Sequence, residues 1–220
     1  MKLISTEFGQ ALQLMVMEEI RPVTPVYAPD FYGAMMERYR FVTNPLNNIP
    51  EAMKTGAKFG IGQANVEGRA ITITELGIYN DGIVVSTTDR TDSADLVMTD
   101  FIEWATERFG FRRPQTKIPR RFSSSVIVEF ETGIEGAING FGRLSKLGIE
   151  AVKAYGQNVE LYVKRIGFGT DPLTTHGFAA EFFIEPRAGR PFSEHRYFCG
   201  APLTTDGHIE WLEAFERTLR

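Results

Sequence analysis

The sequence predicts an α+β fold: two antiparallel β-meanders, each followed by a packing helix, joined by a central strand and a glycine-rich helix. Three observations lead there. First, residues 71–79 and 83–88 are rich in β-branched and aromatic side chains. Between them lies Asn80-Asp81-Gly82, a strong hairpin signal because those residues tolerate positive φ. Second, strand-like runs at 159–168, 178–186 and 194–199 precede a terminal amphipathic helix, so the order of meander then helix recurs. Third, Thr87-Thr88-Asp89 precedes a helix containing Ile102-Glu103-Trp104, and Thr204-Thr205-Asp206 precedes one containing Ile209-Glu210-Trp211. This echo is either an internal duplication or good N-cap chemistry used twice.

Taken in order, residues 1–29 leave two readings open. Leu12, Leu14 and Val16 alternate as in a strand, while Phe8, Leu12, Met15 and Glu19 fit a helix equally well. Pro22, Pro25 and Pro29 make 21–29 an extended connector. Asp30 can cap a short helix to about Tyr39 with Phe31, Met35 and Tyr39 on one side, and 43–50 reads as a turn-rich loop. A strand is expected over 57–65, with Phe59 and Ile61 on one face. In the hairpin, a two-residue loop puts Leu76, Ile78, Ile83 and Val85 on a common face. The parity change from Ile71 and Ile73 points to a bulge or a strong twist near 75–77. Thr91, Asp92 and Ser93 offer N-caps for the next helix, which carries Val97, Phe101, Trp104 and Phe109 and stops at Gly110.

A strand over 124–130 follows. Thr132 with Glu135 then reads as a capping box opening the glycine-rich helix. Gly136, Gly140, Gly142 and Gly148 each cost about 1 kcal/mol against Ala in a helix, so it kinks or breaks near 140–142 or packs very closely. Thr205 or Asp206 caps the final helix, which carries Ile209, Leu212, Phe215 and Leu219.

Length allows one compact domain over 1–220, or two intimately packed halves, 1–122 and 123–220. With 43% hydrophobic residues, the chain is not disordered as a whole. The net charge of -4 argues against a generally cationic nucleic-acid or membrane binder, though not against a local basic patch. A lone cysteine, Cys199, makes no intrachain disulfide and no cysteine zinc site, so a cytoplasmic location is expected. The early apolar run at 14–17 is too short to span a bilayer, and neither a targeting signal nor a membrane partner is expected.

The most distinctive charge feature is Arg108, Arg112, Arg113, Lys117, Arg120 and Arg121, interleaved with Phe109, Phe111, Pro114, Pro119 and Phe122. A basic loop with aromatics can follow a phosphate backbone and stack bases, or bind a phosphorylated ligand. A solvated connector whose arginines pair with local carboxylates accounts for the same residues. Glu194, His195 and Arg196, with Arg187 and Arg190 in the preceding turn, could form an acid/base or anion-binding patch, although nothing nearby supplies a nucleophile or an oxyanion hole.

Other patterns carry less. The stretch 133–148 lacks the Gly-Lys-Ser/Thr ending of a P-loop and the third glycine of a dinucleotide fingerprint. His176, His195 and His208 are too scattered for a metal site. Cys199 sits four residues from His195 on an expected strand, about 13 Å away, beyond the reach of direct thiolate activation; it reads as a small buried hydrophobe. The expected function is therefore a non-catalytic binding or assembly subunit without cofactor or metal, its partner another protein or a second copy of itself. A nucleic-acid or phosphorylated-ligand binder acting through 108–121 is the alternative, and an enzyme built on Glu194, His195 and Arg196 a third.

Overall fold

The structure, a computed structural model, describes residues 1–113, 115–116, 118–171 and 181–219. It is an α+β chain of eight strands and six α-helices among the described residues: β1 (Lys2–Leu14), α1 (Met17–Ile20), α2 (Ala28–Tyr39), α3 (Ile49–Thr55), β2 (Ala57–Val66), β3 (Arg69–Tyr79), β4 (Gly82–Thr87), α4 (Thr91–Phe109), β5 (Arg121–Glu129), α5 (Phe141–Lys153), β6 (Ile166–Gly169), β7 (Glu181–Pro186), β8 (Arg196–Ala201) and α6 (Thr205–Arg217). The chain divides into two compact units. One comprises Thr6–Ser124 with Leu203–Thr205, and the other Met1–Ser5, Ser125–Pro202 and Asp206–Arg220. The larger will be called the first unit and the other the second.

In the first unit the strand order is β2-β3-β4-β1, and in the second it is β5-β8-β7-β6. Replacing each strand number n by n + 4 converts one order into the other, and α4 and α6 each follow the last strand of their meander. The topology thus repeats, which is the structural counterpart of the echo between Thr87-Thr88-Asp89 and Thr204-Thr205-Asp206. Thr91 and Thr205 are buried and exchange bonds: each backbone N–H donates to the other's hydroxyl, at 3.0 and 2.9 Å. Thr91 is therefore not the side-chain cap of its own helix; Arg90 occupies the N-cap position.

The hairpin forms with a two-residue loop, since Tyr79 pairs with Gly82. Ile78 faces Ile83 and Leu76 faces Val85, with the register shift between Ile73 and Glu75. The backbone at Ile61 explains why one expectation fails. Gly60 pairs with Glu75 and Gly62 with Ile73, leaving Ile61 between them at φ 49 and 62% exposed, while Phe59 is fully buried. The left-handed backbone at Ile61 reverses the strand's parity without breaking its register with β3 and hands the inward position to Gly62, where a Cβ would lie 2.8 Å from the Tyr39 carbonyl oxygen. The outer edge of β2 is covered by the segment around Thr43, which bridges to Gly60.

α2 and α4 close the first unit's core. Phe31 stands 6.0 Å from Trp104 and 5.0 Å from Phe109, and Tyr39 is 6.2 Å from Trp104. The Tyr39 hydroxyl donates to Asp100 at 2.7 Å, and Arg38 meets the same carboxylate. Burial, then Asp100, holds this phenol well above its usual range. Gly110, at φ 68, ends α4 as expected.

Other boundaries move. The N-terminal ambiguity resolves as the long strand β1, whose residues from Gly9 to Leu14 pair with β4. The loop expected over 43–50 holds a 3-10 turn at Pro45–Asn48 and the start of α3. Thr132 caps no helix. Gly133 opens a 3-10 turn, Ile134–Ala137, and α5 starts only after Gly140 at φ 77, so the glycine-rich stretch breaks at the first of the expected glycines. Gly136 packs closely, its would-be Cβ 3.1 Å from the Leu219 carbonyl oxygen. Of the expected strand 159–168 only the end pairs, as β6; 178–180 and His176 lie outside the described residues. The second unit's core gathers Val126, Val128, Phe130, Ile184, Tyr197 and Cys199 beneath Leu212 and Phe215 of α6.

Candidate functional site

The connector after α4 is pinned to the first unit rather than extended into solvent. Arg112 donates its backbone N–H to the Ile20 carbonyl at 3.0 Å, and the Glu19 carboxylate accepts from the N–H groups of Gln115 and Thr116 and from the Thr116 hydroxyl. These bonds lower the Glu19 pKa, the Thr116 side chain first. The interleaved aromatics turn inward: Phe109 and Phe111 stand 5.0 and 5.3 Å from Phe31.

The cations divide by environment. Arg120 is held on three sides, its Nε by Gln13 at 3.1 Å and its Nη1 by Asp95 and by Thr99 at 2.8 Å. Arg108 lies over the Phe109 ring, and Arg121 is the first residue of β5. Arg112 and Arg113 are exposed, and among the described residues the Arg113 side chain has neither an ion pair nor a hydrogen bond. Lys117 lies outside the described residues.

Arg113 and Arg120 line one cleft of about 310 Å³, between β1, α4 and the connector, together with Gln13, Thr99, Glu103 and Thr116. Met15, Ile102 and Ile118 supply its apolar wall. Met15 and Ile102 also border a deeper apolar hole of about 50 Å³, lined further by Phe31, Phe101 and Thr106. The Thr106 hydroxyl is buried there without a hydrogen-bond partner. Sequence reading picked out the arginines of this cleft but not Gln13, Thr99 or Thr116. Gln13 comes from a segment 86 residues before Thr99 and 103 before Thr116, and no local spacing marks them.

The second expected patch is a set of ion pairs. Arg196 donates to Glu129 at 2.9 Å and lies 3.6 Å from Glu194, which is itself 3.9 Å from Arg190. His195 is not on a strand. It sits at φ 49 after a short 3-10 turn, and its carbonyl accepts the Phe130 N–H at 3.0 Å. Beside it the Tyr197 hydroxyl accepts the Ile134 N–H at 3.1 Å, and burial pushes that phenol up to about 12. Cys199 is fully buried, and burial raises its thiol pKa. Among the described residues no group of three or more His, Cys, Asp or Glu could hold a metal, and no helix is long and apolar enough to cross a membrane.

A third feature is an uncovered apolar surface on the second unit. α5 is strongly amphipathic, yet not one of its 13 residues is buried. Leu144 is 62% exposed, Leu147 56%, and Tyr155 just past its end 86%. These residues, with Ala151, form one stripe at helical spacing, flanked by Arg143 and Glu150. The adjoining flank touches the body of the unit: Phe141 packs on its core, and Leu161 fills the space where a Gly148 Cβ would stand, 2.5 Å away. The same unit has an open groove of about 430 Å³ walled by Phe168, Phe182, Trp211 and Phe215. The sequence showed the period of α5 but not which part of its apolar arc would be left uncovered.

No protein-family model matches the chain, and no curated protein matches it in sequence. Among solved structures it is similar to Methanococcus jannaschii TBP, at a TM-score of 0.40 and 11% identity, over 99% of this chain and 97% of that one.

Proposed function

We propose that the protein is a non-catalytic assembly subunit that self-associates through its second unit, with α5 as the docking helix. The observation that carries this is the stripe of Leu144, Leu147, Ala151 and Tyr155, exposed along a helix with no buried residue. A 13-residue helix is marginal in water on its own and draws its stability from burying an apolar face, which this one does only in part.

Charge favours a second copy as the occupant. If two α5 helices lie antiparallel about a twofold axis between Lys146 and Leu147, Arg143 of each comes level with Glu150 of the other. The stripe then packs on its own image. Sedimentation velocity over a dilution series tests this. The expected result is a dimer at micromolar concentration that dissociates on dilution and is abolished by Leu144→Glu with Leu147→Glu. A monomer throughout, or a dimer indifferent to the double substitution, overturns it.

A further inference from the structure

The cleft of the first unit is separate from the docking helix, and its wall chemistry is specific enough to name a ligand class. We infer that it binds a small zwitterion with an apolar side chain, of the kind represented by a free hydrophobic α-amino acid. At about 310 Å³ the cleft lies at the lower end of small-molecule sites, which suits a ligand of that size.

Each wall answers one part of such a molecule. Arg120, on the cleft's lining, is fixed by Gln13, Asp95 and Thr99 through its Nε and Nη1, which leaves its Nη2 without an acceptor among the described residues. Arg113 borders the same cleft with its whole guanidinium unengaged. Arg113 provides the planar, forked pair of donors that a carboxylate fits, and the Arg120 Nη2 adds a single donor beside it. Glu103, also on the cleft, supplies the opposite charge for an ammonium group, and Thr99 and Thr116 complete its polar lining.

The apolar side chain has its own place. Met15 and Ile102 are shared between the cleft and the deeper hole, so a branched aliphatic group seated on them reaches toward that hole. At about 50 Å³ the hole is well below the ~150 Å³ that accepts benzene, which favours a slender aliphatic chain over an aromatic one.

Isothermal titration calorimetry of the full chain with L-leucine, 4-methylpentanoate and leucine methyl ester decides the matter. Leucine is expected to bind, and each analogue, lacking one charge, is expected to bind at least roughly tenfold more weakly. Arg113→Ala is expected to weaken leucine by a similar factor, and Glu103→Gln to weaken leucine while leaving 4-methylpentanoate unchanged. Both residues are exposed, so the variants should fold. Arg108→Ala, off the cleft, is the control and should change nothing. No heat with leucine up to about 10 mM overturns the inference, as does leucine binding that survives Arg113→Ala. Equal affinity for leucine and 4-methylpentanoate, unaffected by Glu103→Gln, overturns it too.

Discussion

α2 and α5 hold the same place in the order of their units, between the first strand and the meander, yet they end in opposite states. α2 buries Phe31, Tyr32, Ala34, Met35 and Tyr39, while α5 buries nothing. Both are amphipathic, so the difference lies in what each unit offers to receive the apolar face. In the first unit Phe31 meets Trp104, Phe109 and Phe111, all contributed by α4 and the segment after it. In the second unit only one side of α5 finds a partner, and most of the large exposed hydrophobics of the described chain belong to that unit. A repeated topology does not imply repeated burial. Where one copy completes its core internally, the other has apolar surface left to cover.

The sharpest way to break this comparison is to truncate matching helices. Phe31→Ala should cost about 3–5 kcal/mol, whereas Leu144→Ala should change the stability of the monomer by less than about 0.5 kcal/mol. Urea unfolding followed by tryptophan fluorescence can read the two units separately, because Trp104 belongs to the first and Trp211 to the second. Equal losses would mean that α5 is as well packed as α2.

The second unit should also be the more sensitive to acid through His208. Burial lowers this imidazole from the ordinary 6.5 to about 4, so it stays neutral in the folded chain. As pH falls, the unfolded chain takes up the proton first. The stabilisation is therefore intact above pH 6.5 and is lost on the way down to about pH 4, by at most about 3 kcal/mol. His208→Gln should flatten that part of the stability profile. A variant slope parallel to the parent's would contradict the assignment.

Smaller effects sharpen the picture of the first unit. Asp100→Asn should destabilise by about 1–3 kcal/mol, because Asp100 accepts from both Tyr39 and Arg38. Arg120→Ala should cost about 1–2 kcal/mol through its loss of Gln13, Asp95 and Thr99, while Arg112→Ala and Arg113→Ala stay within about 0.5 kcal/mol. Thermal unfolding of the three arginine variants side by side checks that ordering.

Much of this architecture was legible because it is local. A two-residue turn within Asn80-Asp81-Gly82, an irregularity in β3, which falls between Ile73 and Glu75 just before the expected 75–77, and the stop at Gly110 are each dictated by a few adjacent residues. What escaped depends on distant segments. The inward position passes from Ile61 to Gly62 where Phe41 and the Tyr39 carbonyl crowd the strand and Ile61 turns to φ 49, and Thr91 is bonded by Thr205, 114 positions along the chain. Thr132 and Glu135 have the composition of a capping box, but Gly133 and Gly140 place a short turn and a reversal where the helix was expected. The arginines of the connector stood out as a run; that one of them would be a structural tie and another an unengaged cation depends on β1 and α4.

Hydrogen–deuterium exchange of α5 at low and high protein concentration tests the central claim most directly. If α5 is the surface on which two copies meet, the amides of 141–153 should gain protection as concentration rises, while those of α2 stay equally protected at both. Unchanged exchange in α5 across a concentration range in which the protein dimerises would place the interface elsewhere and contradict the account.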